Sequence, residues 1–83
     1  MANVLITPAA QQEFQDLPLP IQRRVRDVFA RLQHWPNVSG VKALTGKLAG
    51  NFRIRTGDYR VVFRVDGATV IVWKIGYRGD VYD

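Results

Sequence analysis

Eighty-three residues, 47% of them hydrophobic, with no cysteine and a net charge of +5, describe one small basic domain spanning 1–83. Disulfides and thiolate chemistry are excluded, and no run approaches the roughly 20 apolar residues of a membrane span. Val4-Leu5-Ile6 is too short for a signal peptide and nothing basic precedes it, so the expectation is a soluble cytoplasmic domain.

Ala2 to Ile6 reads as a short strand. Thr7-Pro8 then opens a helix, since threonine is a favoured N-cap and proline is tolerated at N1. Ala10, Phe14 and Leu17 form one narrow apolar stripe, which Pro18-Leu19-Pro20 interrupts. Pro20 is expected at N1 of a second helix, along which Ile21, Val25, Val28, Phe29 and Leu32 keep the 3.6-residue period. Gln22, Arg23, Arg26, Asp27 and Arg31 face away from that stripe as solvated surface. Trp35-Pro36-Asn37 ends the helix, and the short break before it predicts a helical hairpin. Val38 to Gly50, punctuated by Ser39-Gly40, Gly46 and Gly50, is the loosest part of the chain.

Strands are expected at about 51–56, 59–65 and 69–77. A two-residue loop at Gly57-Asp58 sets Arg55 opposite Arg60, Ile54 opposite Val61 and Phe52 opposite Phe63. One face then carries Phe52, Ile54, Val61 and Phe63, and the other Arg53, Arg55, Arg60 and Arg64. A second loop at Asp66-Gly67 would place Arg64 opposite Thr69, Val62 opposite Ile71 and Arg60 opposite Trp73, adding an indole to the arginine face. The fold class is α+β in the order βααβββ: a helical hairpin on one face of a small, mostly antiparallel sheet.

The charge is unevenly spread. Residues 42–64 hold Lys42, Lys47, Arg53, Arg55, Arg60 and Arg64 against Asp58 alone, six cations less one anion, which equals the net +5 of the whole chain. Such a surface suits a polyanion, and its position on strands argues against a membrane-surface helix. His34 and Ser39 are each the sole residue of their type, and the acids form no Asp-x-Asp cluster, so neither a metal site nor a cofactor is expected. Gly46-Lys47-Leu48-Ala49-Gly50 lacks the spacing of a phosphate-binding P-loop and precedes a strand. What remains is a cluster of Arg53, Arg55, Arg60, Arg64, Arg78 and Lys47 with Trp73, Tyr77 and Tyr82. Guanidinium groups grip phosphates in bidentate fashion and stabilise a pentacoordinate phosphorus, while flat rings stack on bases. An arginine-lined strand face can also be merely solvated, yet four like charges on adjacent strands repel one another without nearby acids.

The segments Lys42-Ala43-Leu44-Thr45-Gly46, Phe52-Arg53-Ile54-Arg55, Gly57-Asp58-Tyr59-Arg60-Val61-Val62-Phe63 and Gly76-Tyr77-Arg78-Gly79-Asp80-Val81-Tyr82 resemble the RelE branch of the RelE/ParE toxin superfamily, the small basic toxins of type II toxin–antitoxin pairs. The resemblance covers essentially the whole chain. It implies a ribosome-dependent mRNA endoribonuclease that works without a metal, through attack of the 2′-hydroxyl on the adjacent phosphate. It also implies a cognate acidic antitoxin, with the ribosome and its mRNA as the other partners. By position, Arg53 and Arg55 match the family's two cationic strand residues and Arg60 its phosphate-binding arginine. Arg78 matches the arginine at the leaving oxygen, and Tyr82 the tyrosine that orients the base. Lys47, Arg64, Trp73 and Tyr77 are expected to add RNA contacts.

Two departures stand out. The family usually has lysines where this chain has Arg53 and Arg55, and an arginine does not give up its proton in proteins. Deprotonation of the 2′-hydroxyl would then fall to Tyr82, to Lys47 or to ribosomal RNA. Tyr82 is also followed by a single residue here, without the C-terminal helix of some relatives. The alternatives are the ParE branch, whose members poison DNA gyrase on the same fold, and a non-catalytic RNA- or protein-binding module.

Overall fold

The computed structural model describes residues 1–78. Strand β1 (Asn3–Ile6) leads into α1 (Pro8–Gln15) and α2 (Leu19–Leu32). After them come β2 (Val41–Ala43), a 3-10 turn (Gly46–Leu48), β3 (Asn51–Thr56), β4 (Tyr59–Asp66) and β5 (Thr69–Tyr77). The sheet order is β1-β5-β4-β3-β2; β1 runs parallel to β5 and every other pair is antiparallel. The expected order βααβββ holds, with one further strand. That strand, β2, lies in the segment read as loose: three residues are too few for a period, and its pairing of Val41 with Ile54 and Ala43 with Phe52 is purely tertiary.

Thr7 caps α1 as expected, its Oγ1 accepting from the Ala10 N–H at 3.2 Å, with Pro8 at N1. The second helix starts at Leu19, so Pro20 sits at the second helical position instead of the first. Its missing N–H is among the first-turn donors that have no helical partner anyway. Pro18 offers no capping side chain. Gln22 instead clips the two helices together, donating to the carbonyls of Leu17 (3.1 Å) and Gln15 (3.2 Å).

The apolar stripe of α2 meets the sheet through Val25, Val28 and Leu32, against Ile54, Val61, Phe63, Val70, Val72 and Ile75. Phe14 and Ala10 of α1 complete this core. Trp35, just past α2, packs on Phe52 at 5.1 Å with the rings tilted by 57° and meets Phe63 edge-on at 5.4 Å, fixing the β3–β4 hairpin beneath the helix end. Each such aromatic pair adds about 0.5–1.5 kcal/mol beyond its burial. Both helices lie on one face, and the other is left for the site.

The β3–β4 register is the expected one: Arg55 faces Arg60, Ile54 faces Val61 and Phe52 faces Phe63. The β4–β5 register is not. Asp66 pairs with Thr69 and Arg64 with Ile71, so the loop is Gly67-Ala68 and not Asp66-Gly67. Gly57 (φ +61°) and Gly67 (φ +58°) thus occupy the same place, the first central position that a type II′ turn reserves for glycine. A second difference follows at Trp73. Phe63 pairs with Val72 but Val62 with Lys74, which leaves Trp73 as the extra residue of a β-bulge. Strict alternation from Val70 and Val72 would send Lys74 into the core. The bulge turns Lys74 outward and buries Ile75 instead.

Candidate nucleic-acid interface

The sheet face away from the helices is built by alternation. It receives Arg53 and Arg55 from β3, Arg60, Val62 and Arg64 from β4, and Ile71, Lys74 and Gly76 from β5. Lys42 of β2 joins them opposite Arg53. Arg55 and Arg60 are directly opposed, a like-charge pair that destabilises a bare sheet. Gly76 lies across from Arg60 on the other side and adds no side chain to that row.

The arginines divide by depth. Arg55, Arg64 and Arg78 are exposed, whereas Arg53 is 7% and Arg60 4% accessible. Arg53, Arg55 and Arg60 are all engaged in interactions with neighbouring groups. Arg60 Nη1 also lies 3.5 Å from the Tyr59 carbonyl oxygen, at the outer limit of a hydrogen bond. Arg60 and Arg78 are both expected to carry no packing. Arg78 is exposed, but the burial of Arg60 corrects that for Arg60, and Arg53 is buried beside it, so the stems of both belong to the folded surface.

Trp73 is on this face, but not opposite Arg60. Its indole N–H donates to Asn51 Oδ1 at 2.9 Å. Since Trp73 sits on β5 and Asn51 on β3, the ring spans two strand spacings, roughly 10 Å, and passes over β4. Val62, flanked by Arg53 and Lys74, is 1% accessible although it faces away from the helices. Asn51 Nδ2 in turn donates to the Leu48 carbonyl at 3.1 Å. The 3-10 turn carrying exposed Lys47 is therefore tied to the Arg64 end of the face.

The other end lies at the Gly57-Asp58 loop. The Arg78 backbone N–H donates to the Asp58 carbonyl at 2.8 Å, so Arg78 leaves β5 beside that loop, close to the Arg55–Arg60 pair. Tyr77 is placed differently from expectation. It pairs with Tyr59, in register with Ile75 and Val61, so both tyrosines lie on the helix-bearing face, their rings edge-on at 5.5 Å. Tyr82 lies outside the described residues.

Three residues escaped the sequence reading: Asn51, Lys74 and Glu13. Glu13 projects from α1 to the edge of β5 beyond the end of β1. One carboxylate oxygen accepts from the Ile75 N–H at 3.0 Å and the other meets Lys74 Nζ at 2.6 Å. The signal for Lys74 was present, since a lysine in the core phase of an apolar strand demands a bulge. Asn51 left no such trace. Among the described residues no group of three or more His, Cys, Asp or Glu could hold a metal ion. Chemically, the face offers a row of fixed cations with one indole laid across it, an anion platform four strands wide.

A family model described as ParE toxin of type II toxin–antitoxin system, parDE, matches residues 4–82. Toxin RelG of Mycobacterium tuberculosis is 34% identical over 83 residues, covering 96% of this chain and 94% of that one. Toxin RelE3 of Methanocaldococcus jannaschii is 26% identical, with 98% and 96% covered. The crystal structure of the toxin–antitoxin complex RelBE2 from Mycobacterium tuberculosis aligns with a TM-score of 0.80 at 28% identity, over 93% of this chain and 98% of that one. In sequence and in fold, this chain belongs to the RelE/ParE superfamily of type II toxin–antitoxin toxins.

Proposed function

We propose that this toxin is a ribosome-dependent endoribonuclease that cuts mRNA without recruiting a metal ion. The observation that carries the reading is the Arg55–Arg60 pair, directly opposed on the face that no helix covers. Two like-charged guanidinium groups side by side repel each other, an anion laid between them relieves that repulsion, and a scissile phosphate is such an anion. In the reaction the ribose 2′-oxygen attacks the adjacent phosphorus and the bond to the 5′-oxygen breaks. The 2′-proton passes to a base and a proton is returned to the leaving oxygen, giving a 2′,3′-cyclic phosphate and a 5′-hydroxyl. Arg53, Arg55 and Arg60 bind and neutralise the phosphoryl oxygens; Arg78 serves the leaving oxygen, and Tyr82 orients the base. Arginine at 53 and 55 cannot take the 2′-proton, which leaves Tyr82, Lys47 or ribosomal RNA for that step. Loss of one preorganised donor of this kind lowers turnover about 10²–10³-fold.

The RelBE2 relative was solved as a toxin–antitoxin complex, and we extend that to this chain. Its partner is an acidic antitoxin whose carboxylates cover the cationic face, and its place of action is the cytoplasm, where ribosomes are. The description of the matching family model favours a second reading, a ParE-type gyrase poison. Tightly controlled expression in bacteria, with mapping of mRNA 5′ ends, separates the two. New 5′ ends inside translated messages support the nuclease. Stabilised gyrase–DNA breaks without such ends support the poison, and neither outcome would leave a binding module.

A further inference from the structure

The bulge at Trp73 does more than correct the phase of β5. A tryptophan on an arginine face suggests base stacking, yet its N–H is committed to Asn51 Oδ1 (2.9 Å) and the other end of that amide to the Leu48 carbonyl (3.1 Å). Asn51 is thus bonded on both sides, and its backbone carbonyl accepts from the Leu44 N–H at 2.9 Å. Within itself, the turn bearing Lys47 is held by two backbone bonds, from the Leu48 N–H to the Thr45 carbonyl at 3.3 Å and from the Ala49 N–H to the Gly46 carbonyl at 3.1 Å. It is three residues long, its N-cap Thr45 makes no side-chain bond, and glycines with φ of +65° and +92° stand at 46 and 50. Lys47 itself is exposed.

We propose that Trp73 is a positioning residue: acting through Asn51, its indole N–H latches the Gly46–Leu48 turn so that Lys47 binds an RNA phosphate at the Arg64 end of the face. The inference rests on the RNA-cleaving reading for its ligand, but the latch itself does not. The phosphate bound by Lys47 belongs to a nucleotide flanking the one held by Arg55 and Arg60. Residues 60 and 64 on β4 are about 13 Å apart, too far for one phosphate to touch both ends.

The test uses the whole chain. Trypsin cleavage after Lys47, followed by mass spectrometry under native conditions, reads the order of the turn without any reference to RNA. Trp73→Phe keeps a ring that can stack but removes the N–H, and Asn51→Asp keeps an acceptor for the indole but removes the donor to Leu48. Both variants should be cut after Lys47 at least several-fold faster than the parent at equal melting temperature. Unchanged cleavage in Trp73→Phe overturns the latch. The second arm measures binding of an isolated single-stranded oligoribonucleotide across a salt series. Lys47→Ala should make the log–log slope shallower by about 0.7, the share of one phosphate on a single strand. Trp73→Phe should do the same, and the double variant should go no further. Independent, additive losses would show that Trp73 binds RNA on its own account and overturn the proposal. An unaltered slope in Lys47→Ala would remove Lys47 from the interface while cleavage still reports on the latch, so the two failures are distinguishable.

Discussion

Glu13 offers a prediction whose size can be worked from the structure. Its carboxylate accepts the Ile75 N–H at 3.0 Å and pairs with Lys74 at 2.6 Å, the two side chains being 27% and 35% accessible. The first contact is a charge-assisted hydrogen bond to the backbone of a buried residue, in a class that contributes about 1.5–3 kcal/mol. The second is a half-exposed ion pair, which after solvent screening contributes at most about 1 kcal/mol. Glu13→Ala loses both and should destabilise by about 2–3 kcal/mol, lowering the melting temperature by roughly 8–24 °C in a domain of this size. Glu13→Gln keeps a neutral acceptor for Ile75 but loses the ion pair and the charge assistance, so about 1–2 kcal/mol is expected. Urea titration at low and at 0.5 M salt, with the slope checked for constancy, measures both variants. The gap between parent and Glu13→Gln should shrink in salt, while that between Glu13→Gln and Glu13→Ala should persist. If Glu13→Gln is as damaging as Glu13→Ala, the backbone bond contributes nothing and the reasoning fails.

Arg60→Lys retains a charge but loses the planar fork, and should lower RNA cleavage about 10²–10³-fold with a melting temperature within a few degrees of the parent. Exposed Arg78→Ala should abolish growth inhibition with no thermal effect; Arg60→Ala should cost stability as well, because its stem is buried. Gly57→Ala and Gly67→Ala should each destabilise by about 1–2 kcal/mol through their positive φ. The two should cost alike, since the new methyl group at 57 would meet only the far end of the flexible Arg24 side chain at 3.1 Å and nothing lies near Gly67; denaturant midpoints give the comparison. Isolated single-stranded RNA should bind with a log–log salt slope of about −3.5 if Arg53, Arg55, Arg60, Arg64 and Arg78 are all engaged, and about −4.2 with Lys47 added; a slope near zero would contradict electrostatic binding.

The β3–β4 hairpin was readable because two signals agree: a glycine that can take positive φ, and an alternation that puts phenylalanines and arginines on opposite faces. The next loop was ambiguous. Asp66-Gly67 and Gly67-Ala68 are both plausible two-residue turns, and the sequence holds no cross-strand pattern strong enough to choose. The error was one of two residues in pairing, which returns the side chains before the bulge to the same face, so Arg60, Val62, Arg64 and Ile71 stayed together despite a wrong register. An odd slip would have parted them. The burial of Arg53 and Arg60 and the reach of Trp73 to Asn51 depend on partners two strands away, beyond any local period. Tyr77 was misplaced for a related reason. The bulge at Trp73 changes the phase of everything after it, and Tyr77 then falls on the helix side with Tyr59.

The account turns on the 2′-hydroxyl of the message. Ribosomes programmed with a short mRNA whose A-site codon carries a single 2′-deoxy nucleotide at the cleaved position test it most directly. The purified chain should cut the all-ribose message to a 2′,3′-cyclic phosphate and a 5′-hydroxyl, and should leave the 2′-deoxy message whole. Equal cleavage of both messages, or products that carry a 5′-phosphate, would contradict the mechanism assigned to the arginine face.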